Sequence, residues 1–583
     1  MKNYSYTISE KKVIITINKR LCETSEELID SELFIEILNR CITNLSKRNS
    51  ALLNIFGSGP VDENKITLLL STLKYLLKLP IITVQQVLKE SEVFLEDIDL
   101  FNDFIEYLYN YWRSFDRFVV CNSELDTLDK RPYRTFNETI EKLTHLVRST
   151  YRSIQKNITG VRPRVYRQVS AGSEVASIVS PGAIAYNQEP YNKLNGLPVI
   201  RQVLMYPPLV LNPPMNKRTG QFMKVDKNPL ELVKIEKDGW LCYPAKVGKL
   251  LIAIYFANNF FELGFSLCNL FEIADDKDLE RKPDAVYLFG VPGESLDCFG
   301  NLPTVFYDDE KNNQIIAAVP SRNEFGYFGY LKKMVLTLHN IKVMKNNCMP
   351  FHGALIQIRL KDKKESTILI IGDTGAGKSE SLEALRVIGE DLISDMNIIA
   401  DDMGSIELEN GNPVGYGSEI GAFLRLDDLQ PGYAFGQIDR AIIMSANQVN
   451  ARIVIPVNSF HNVIKGYKID YILYANNYAE IDEDHPVIEK FTDADAALKV
   501  FQEGMVMSKG TTTSTGLTHS YFANIFGPPQ YKKLHDGIAK KYFDIFFKEG
   551  IFVGQIRTRL GIKGCEISGP EAAARELLNI IAG

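Results

Sequence analysis

The run ESTILIIGDTGAGKSESLEALRVIG, from Glu365 to Gly389, constrains this chain more than any other stretch of it. Gly372, Asp373, Thr374, Gly375, Ala376, Gly377, Lys378 and Ser379 fit the pattern GxxxxGK[ST]. An apolar strand pattern precedes them, and a helix pattern follows in which Leu382, Leu385 and Ile388 recur at helical spacing. A phosphate chain needs backbone N–H groups at close range, which glycines permit sterically, and the positive end of a helix dipole beneath them. Lys378 is then expected on the β- and γ-phosphates, and the Ser379 hydroxyl on Mg²⁺. A strand, such a loop and a helix in succession predict an α/β protein that binds a nucleoside triphosphate.

Downstream, NIIADDMGS sets Asp401 and Asp402 at the end of an apolar strand, where a carboxylate can hold a divalent cation directly or through water. A chain of 583 residues needs more than one core. Residues 1–159 carry helical stripes, among them Leu69, Leu73, Leu76 and Leu77, which stop at Pro80, and Leu143, Leu146, Val147, Tyr151 and Ile154. They predict a helical N-terminal extension. Residues 160–345 are punctuated by prolines and short β-type runs such as Leu250–Phe256, which predicts a mixed α/β middle domain on the substrate side. Residues 346–583 form the expected nucleotide domain, with Ala354–Leu360, Ile368–Ile371, Asn397–Ala400, Ala441–Met444 and Ile469–Tyr474 as its strands.

A net charge of −6 leaves no basic footprint for nucleic acid. The eight cysteines stand singly and predict reduced thiols. The first residues lack the apolar core of a signal peptide, and Ile66–Leu79 is short and carries Lys74 and Lys78. A cytoplasmic protein without a membrane span is expected.

From Tyr327 to about Gly569 the chain resembles the phosphoenolpyruvate carboxykinase family, in particular its ATP-using type. The segments that carry the resemblance occur in the family's order: YFGYLKKM from Tyr327, MPFHGALI from Met349, GDTGAGKS, DDMGS, SEIGAFLR from Ser418, and THSYFANIFG from Thr518. The resemblance implies a P-loop nucleotide domain of that family's kind and a Mn²⁺ site made of Lys333, His352 and Asp402. It also implies a substrate-side Tyr327, with Glu419 and Arg425 near the phosphates. A neutral amine, an imidazole and a carboxylate suit Mn²⁺, provided the lysine pKa is lowered.

Two family segments are not found. The arginine that reads the substrate carboxylate in an N-terminal segment has no counterpart. A second is replaced by Lys490 in EKFTDAD, which keeps the charge without the planar fork. The basic clusters Arg131, Arg134 and Arg162, Arg164, Arg167 offer further anion contacts. Three functions follow as expectations. The first is conversion of oxaloacetate and ATP to phosphoenolpyruvate, ADP and CO₂. The second is a kinase of the same fold that acts on a small-molecule or protein hydroxyl, with Asp401 or Asp402 as base. The third is a nucleotide-sensing regulatory protein.

Overall fold

The computed structural model describes residues 3–8, 12–17, 20–121, 132–161, 165–167, 175–205, 207–218, 222–237, 239–301, 303–426, 437–509, 515–525 and 527–583. The chain divides into two compact units, Met1–Pro163 and Arg164–Gly583.

The first unit builds a core from the helices Glu32–Lys47, Glu63–Leu76, Ile98–Arg113 and Pro132–Thr159. The stripe Leu69, Leu73 and Leu76 is fully buried, and the Asp62 carboxylate starts that helix by accepting from the Lys65 N–H. A three-stranded sheet joins the helices. In it Lys12–Ile17 runs antiparallel to Tyr4–Ile8 and parallel to Asp116–Cys121. Helical periodicity does not anticipate this sheet, because the apolar residues of KVIITI, Val13, Ile14, Ile15 and Ile17, form a run too short to fix a period.

The second unit is α/β with mixed sheets. One sheet has Trp240–Val247, Leu250–Ala257, Ala285–Val291 and Gln314–Pro320 at its centre, and the other has Met349–Leu360, Glu365–Ile371, Tyr471–Asn476 and Phe552–Arg557. The helix Phe328–Lys345 lies between them and is buried nearly all round, so its sequence shows no polar stripe. The middle and C-terminal segments share a core: Leu209–Leu211 pairs with Ile442–Met444, and one continuous apolar cluster takes residues from both sheets. Among the described residues no helix is long and apolar enough to cross a membrane.

Two histidines are sealed in this core. His339 is 2% exposed and His535 fully buried, and burial pushes both imidazoles down to about 4. The folded pKa lies below the unfolded one, so the stability these groups lend is complete above pH 6.5 and is lost as pH falls toward 4. Melting curves at pH 7 and pH 5 are expected to show the loss. His339→Phe should flatten the slope by about 1.4 kcal/mol per pH unit, and an unchanged slope would mean His339 binds its proton in the folded state.

Candidate active site

One strand organises the site. Met349–Leu360 pairs on one side with Glu365–Ile371, in a register that sets Gly353 opposite Ile371 and brings Gly372 against His352, whose carbonyl accepts the Gly372 N–H at 3.2 Å. On its other side it pairs with two consecutive strands, Leu355 opposite Ala400 and His352 opposite Met403. Asp401 and Asp402 form the step between those two strands, fixed by a Gly353 N–H to Asp402 carbonyl bond of 2.9 Å. The phosphate loop and the acidic pair therefore flank the same residue, His352.

The loop is held open-backed by its glycines. Gly377 has φ +91°, and a Cβ there would meet the Thr558 side chain at 2.5 Å. Thr558 Oγ1 donates to the Ala376 carbonyl at 2.7 Å, and Asn477 Nδ2 donates to the Gly375 carbonyl at 2.9 Å. The helix Lys378–Ile388 starts directly from the loop, with Ser379 exposed at its second position and Thr374 exposed at the loop's tip. Lys378 is folded back on its own loop, donating to the Gly372 carbonyl at 2.5 Å and the Asp373 carbonyl at 3.1 Å. Asp373 accepts from the Thr374 N–H and from the Ser520 hydroxyl, each at 2.7 Å.

Asp402 is the hub of the charged cluster. Its Oδ1 lies 2.9 Å from His352 Nε2 and its Oδ2 2.8 Å from Lys332 Nζ. Lys332, with a side chain 3% exposed, also reaches Glu419 Oε1 at 3.1 Å. The neighbouring Lys332 and His352 hold the Asp402 carboxyl well below the usual range against the opposing effect of burial, and its two carboxylates hold Lys332 charged. Burial pushes Glu419 up to about 8 despite Lys332, and burial with the Asp402 charge raises Asp401. Of the two lysines, the one at ion-pair distance from Asp402 is Lys332. Lys333 is half-buried one residue further round the helix, and burial together with the Arg218 guanidinium pushes its ammonium down to about 8.

A second group of cations surrounds Tyr327. Arg452 hydrogen-bonds the tyrosine, and Arg218 and Lys332 lie within electrostatic reach of it. Phe423 stands between these groups, with its ring 5.5 Å from the Arg452 guanidinium and 6.0 Å from both Lys332 Nζ and the Tyr327 ring. Arg425 is opposite Arg452 in the antiparallel pair Gly421–Arg425 and Arg452–Pro456. Lys490 is not part of this group: it is exposed on the strand Ile488–Lys490, over the Phe552 ring. Arg131, Arg162 and Arg164 lie outside the described residues, as do the side chains of Arg134 and Arg167.

Sequence reasoning missed Arg218 and Arg452. Neither sits in a motif. The pairing of Leu209–Leu211 with Ile442–Met444 brings the loop before Arg218 alongside the sheet that carries Arg452, and Asn216 bonds Gln448 and Val449 across the junction.

The donor chemistry of the site fits the implied Mn²⁺. The Ala523 carbonyl can only accept, so His352 Nδ1 carries the proton between them and Nε2 is the ring atom turned toward Asp402. An imidazole nitrogen and a carboxylate oxygen thus converge, and Lys333 has the lowered pKa that an amine ligand requires. Lys333, His352 and Asp402 would hold Mn²⁺, and Ser379 would hold Mg²⁺ at the loop. Among the described residues no three His, Cys, Asp or Glu side chains converge as a metal cage of their own.

Compared with known proteins, the chain matches no family model, and no curated protein matches it.

Proposed function

We propose that the Arg164–Gly583 unit is a metal-dependent ATP phosphotransferase related to phosphoenolpyruvate carboxykinase, acting on oxaloacetate. The observation that carries this reading is the convergence on one strand of a phosphate loop and a His352–Asp402 pair, with Lys333 beside them. Loop N–H groups and Lys378 bind the β- and γ-phosphates. Arg218 and Arg452 answer the two family arginines that the sequence lacks in their usual segments, and with Tyr327 they suit a carboxylate-bearing acceptor. Loss of CO₂ from oxaloacetate leaves an enolate whose oxygen attacks the γ-phosphorus in line, and ADP departs. Lys333, His352 and Asp402 would hold a divalent cation, which would supply positive charge to the enolate. Arg425 and Lys378 neutralise charge on the transferred group.

One observation favours a second reading, transfer to a hydroxyl acceptor. Asp401, unlike Asp402, has a raised pKa beside the phosphate loop, which suits a general base.

A coupled assay of ADP release, with Mg²⁺ and Mn²⁺ varied, tests the proposal. Turnover that requires oxaloacetate and disappears in Lys378→Ala is expected. Arg452→Ala should raise the KM for oxaloacetate by about tenfold, the scale of one lost charge-assisted pair, while KM for ATP stays constant. ATP binding without oxaloacetate turnover sinks the carboxykinase reading and leaves the hydroxyl acceptor.

A further inference from the structure

Phe522, Ala523 and Asn524 have φ of +46°, +58° and +62°, three consecutive non-glycine residues in the left-handed region. Side chains rarely adopt that region singly, and a run of three persists only when its surroundings over-determine it. The determinants are visible. The Ser520 N–H donates to the Gly504 carbonyl at 2.9 Å, and the Ala523 N–H donates back to the Ser520 carbonyl at 2.7 Å. The Tyr521 hydroxyl donates to Asp536 Oδ1 at 2.7 Å and lies 2.8 Å from His535 Nδ1, while the buried Phe522 ring packs 4.8 Å from the His535 ring.

The two ends of this turn touch the two halves of the site. At one end the Ser520 hydroxyl donates to Asp373 Oδ2, in the phosphate loop, at 2.7 Å. At the other the Ala523 carbonyl accepts from His352 Nδ1. We propose that Ser520–Asn524 is a strained strut that sets the His352 ring according to what occupies the phosphate loop, with Ser520 and Ala523 as positioning residues. The inference rests on the reading of that loop as a nucleotide site. A phosphate chain brings negative charge against Asp373, whose carboxylate then turns away and releases Ser520. A strained turn that loses one of its ties relaxes, and the Ala523 carbonyl withdraws from His352 Nδ1. Nucleotide binding in this way loosens the ring at Nδ1, while Asp402 Oδ1, 2.9 Å from Nε2, keeps it beside the acidic pair. Strain at the hinge lowers the free-energy cost of leaving the tied arrangement, which lets a ligand bias the two.

The test uses the full chain labelled with ¹⁵N-histidine. It contains seven histidines, and the His352 ring signal is assigned by its disappearance in His352→Asn. The probe is a non-hydrolysable ATP analogue with Mg²⁺, its affinity measured separately by calorimetry. In the wild-type protein the His352 signal is expected to move when the analogue binds. In Ser520→Ala the analogue still binds within about threefold of wild type, a fraction of the tenfold that 1.4 kcal/mol represents, but the signal no longer responds. Ser520→Thr keeps the hydroxyl and restores the response. Ala523→Gly, which removes the left-handed penalty at one position and so favours the tied arrangement, is expected to show a smaller movement of the signal when the analogue binds. A response of the same size in Ser520→Ala and wild type overturns the strut, as does analogue binding that leaves His352 unmoved in the wild type. Failure of the analogue to bind the wild-type protein, or binding unaffected by Lys378→Ala, instead overturns the nucleotide reading on which the strut depends.

Discussion

Lys333→Ala is expected to abolish turnover with little loss of stability, whereas Lys332→Ala should cost about 3–5 kcal/mol, the scale of breaking a buried ion pair. The two residues are neighbours on one helix, and their surroundings differ. Lys332 is sealed between Asp402 and Glu419, so its removal leaves the buried Glu419 and the half-buried Asp402 without their shared cation. Lys333 is half-buried, and burial and Arg218 oppose its positive charge while Asp402 and Asp373 favour it, so its removal costs less than that of Lys332. Denaturant melts separate the two variants, and ADP release measured on the folded fraction reports the chemistry. Equal destabilisation of the two would show that Lys333 is also a structural cation. Full turnover in Lys333→Ala would remove it from the reaction and leave Lys332 as the lysine that serves Asp402.

Within the same cluster Glu419 has a pH sense opposite to that of the core histidines, and Asp402 shares theirs. Glu419, raised to about 8, lends stability that is complete below pH 4.5 and is lost as pH rises through 8. Asp402, held low, lends stability present above pH 3.8 and lost as pH falls through its folded value.

Gly377→Ala should reduce ATP affinity by at least about tenfold, because a left-handed backbone at an alanine alone costs roughly 1–2 kcal/mol. The steric term adds to it: the new Cβ meets Thr558 Cβ at 2.6 Å as well as the hydroxyl that ties the Ala376 carbonyl. Either the loop or the strand end carrying Thr558 must move, and the loop N–H groups lose their convergence on the phosphates. Pairing the change with Thr558→Gly removes the collision but not the φ penalty, so affinity should recover in part. Calorimetry with MgATP checks both variants, with circular dichroism as the control for folding. Undiminished affinity in Gly377→Ala would mean that phosphate does not bind in this loop.

Much of the second unit was legible because its signals are local. The strand patterns at Leu250–Phe256, Ala354–Leu360 and Ile368–Ile371 fall within observed strands, and their physical basis, apolar residues continuous in two of them and interrupted only at Gln357 and Arg359 in the third, lies within a few residues of chain. The sheet of the first unit was not legible, since Lys12–Ile17 finds its parallel partner Asp116–Cys121 about a hundred residues away.

Sequence alone determined the α/β character of the C-terminal half and the strand, loop and helix that carry GxxxxGK[ST], because that pattern is contiguous: glycines at 372, 375 and 377, then Lys378 and Ser379 at the start of a helix. The resemblance also grouped Lys333, His352 and Asp402 as an expected metal set. Tertiary structure decided which lysine reaches Asp402. A helix buried on every side has no polar stripe to fix its rotation, so Lys332 and Lys333 look alike in the sequence although one residue turns the helix by about 100°. It decided as well the company of Tyr327, where Arg218 and Arg452 arrive through strands more than two hundred residues apart in the chain, and the hold of Ser520 and Ala523 on Asp373 and His352. Pairings of that range leave no period or spacing behind them, because each partner needs only to satisfy its own strand or turn until the chain closes the distance.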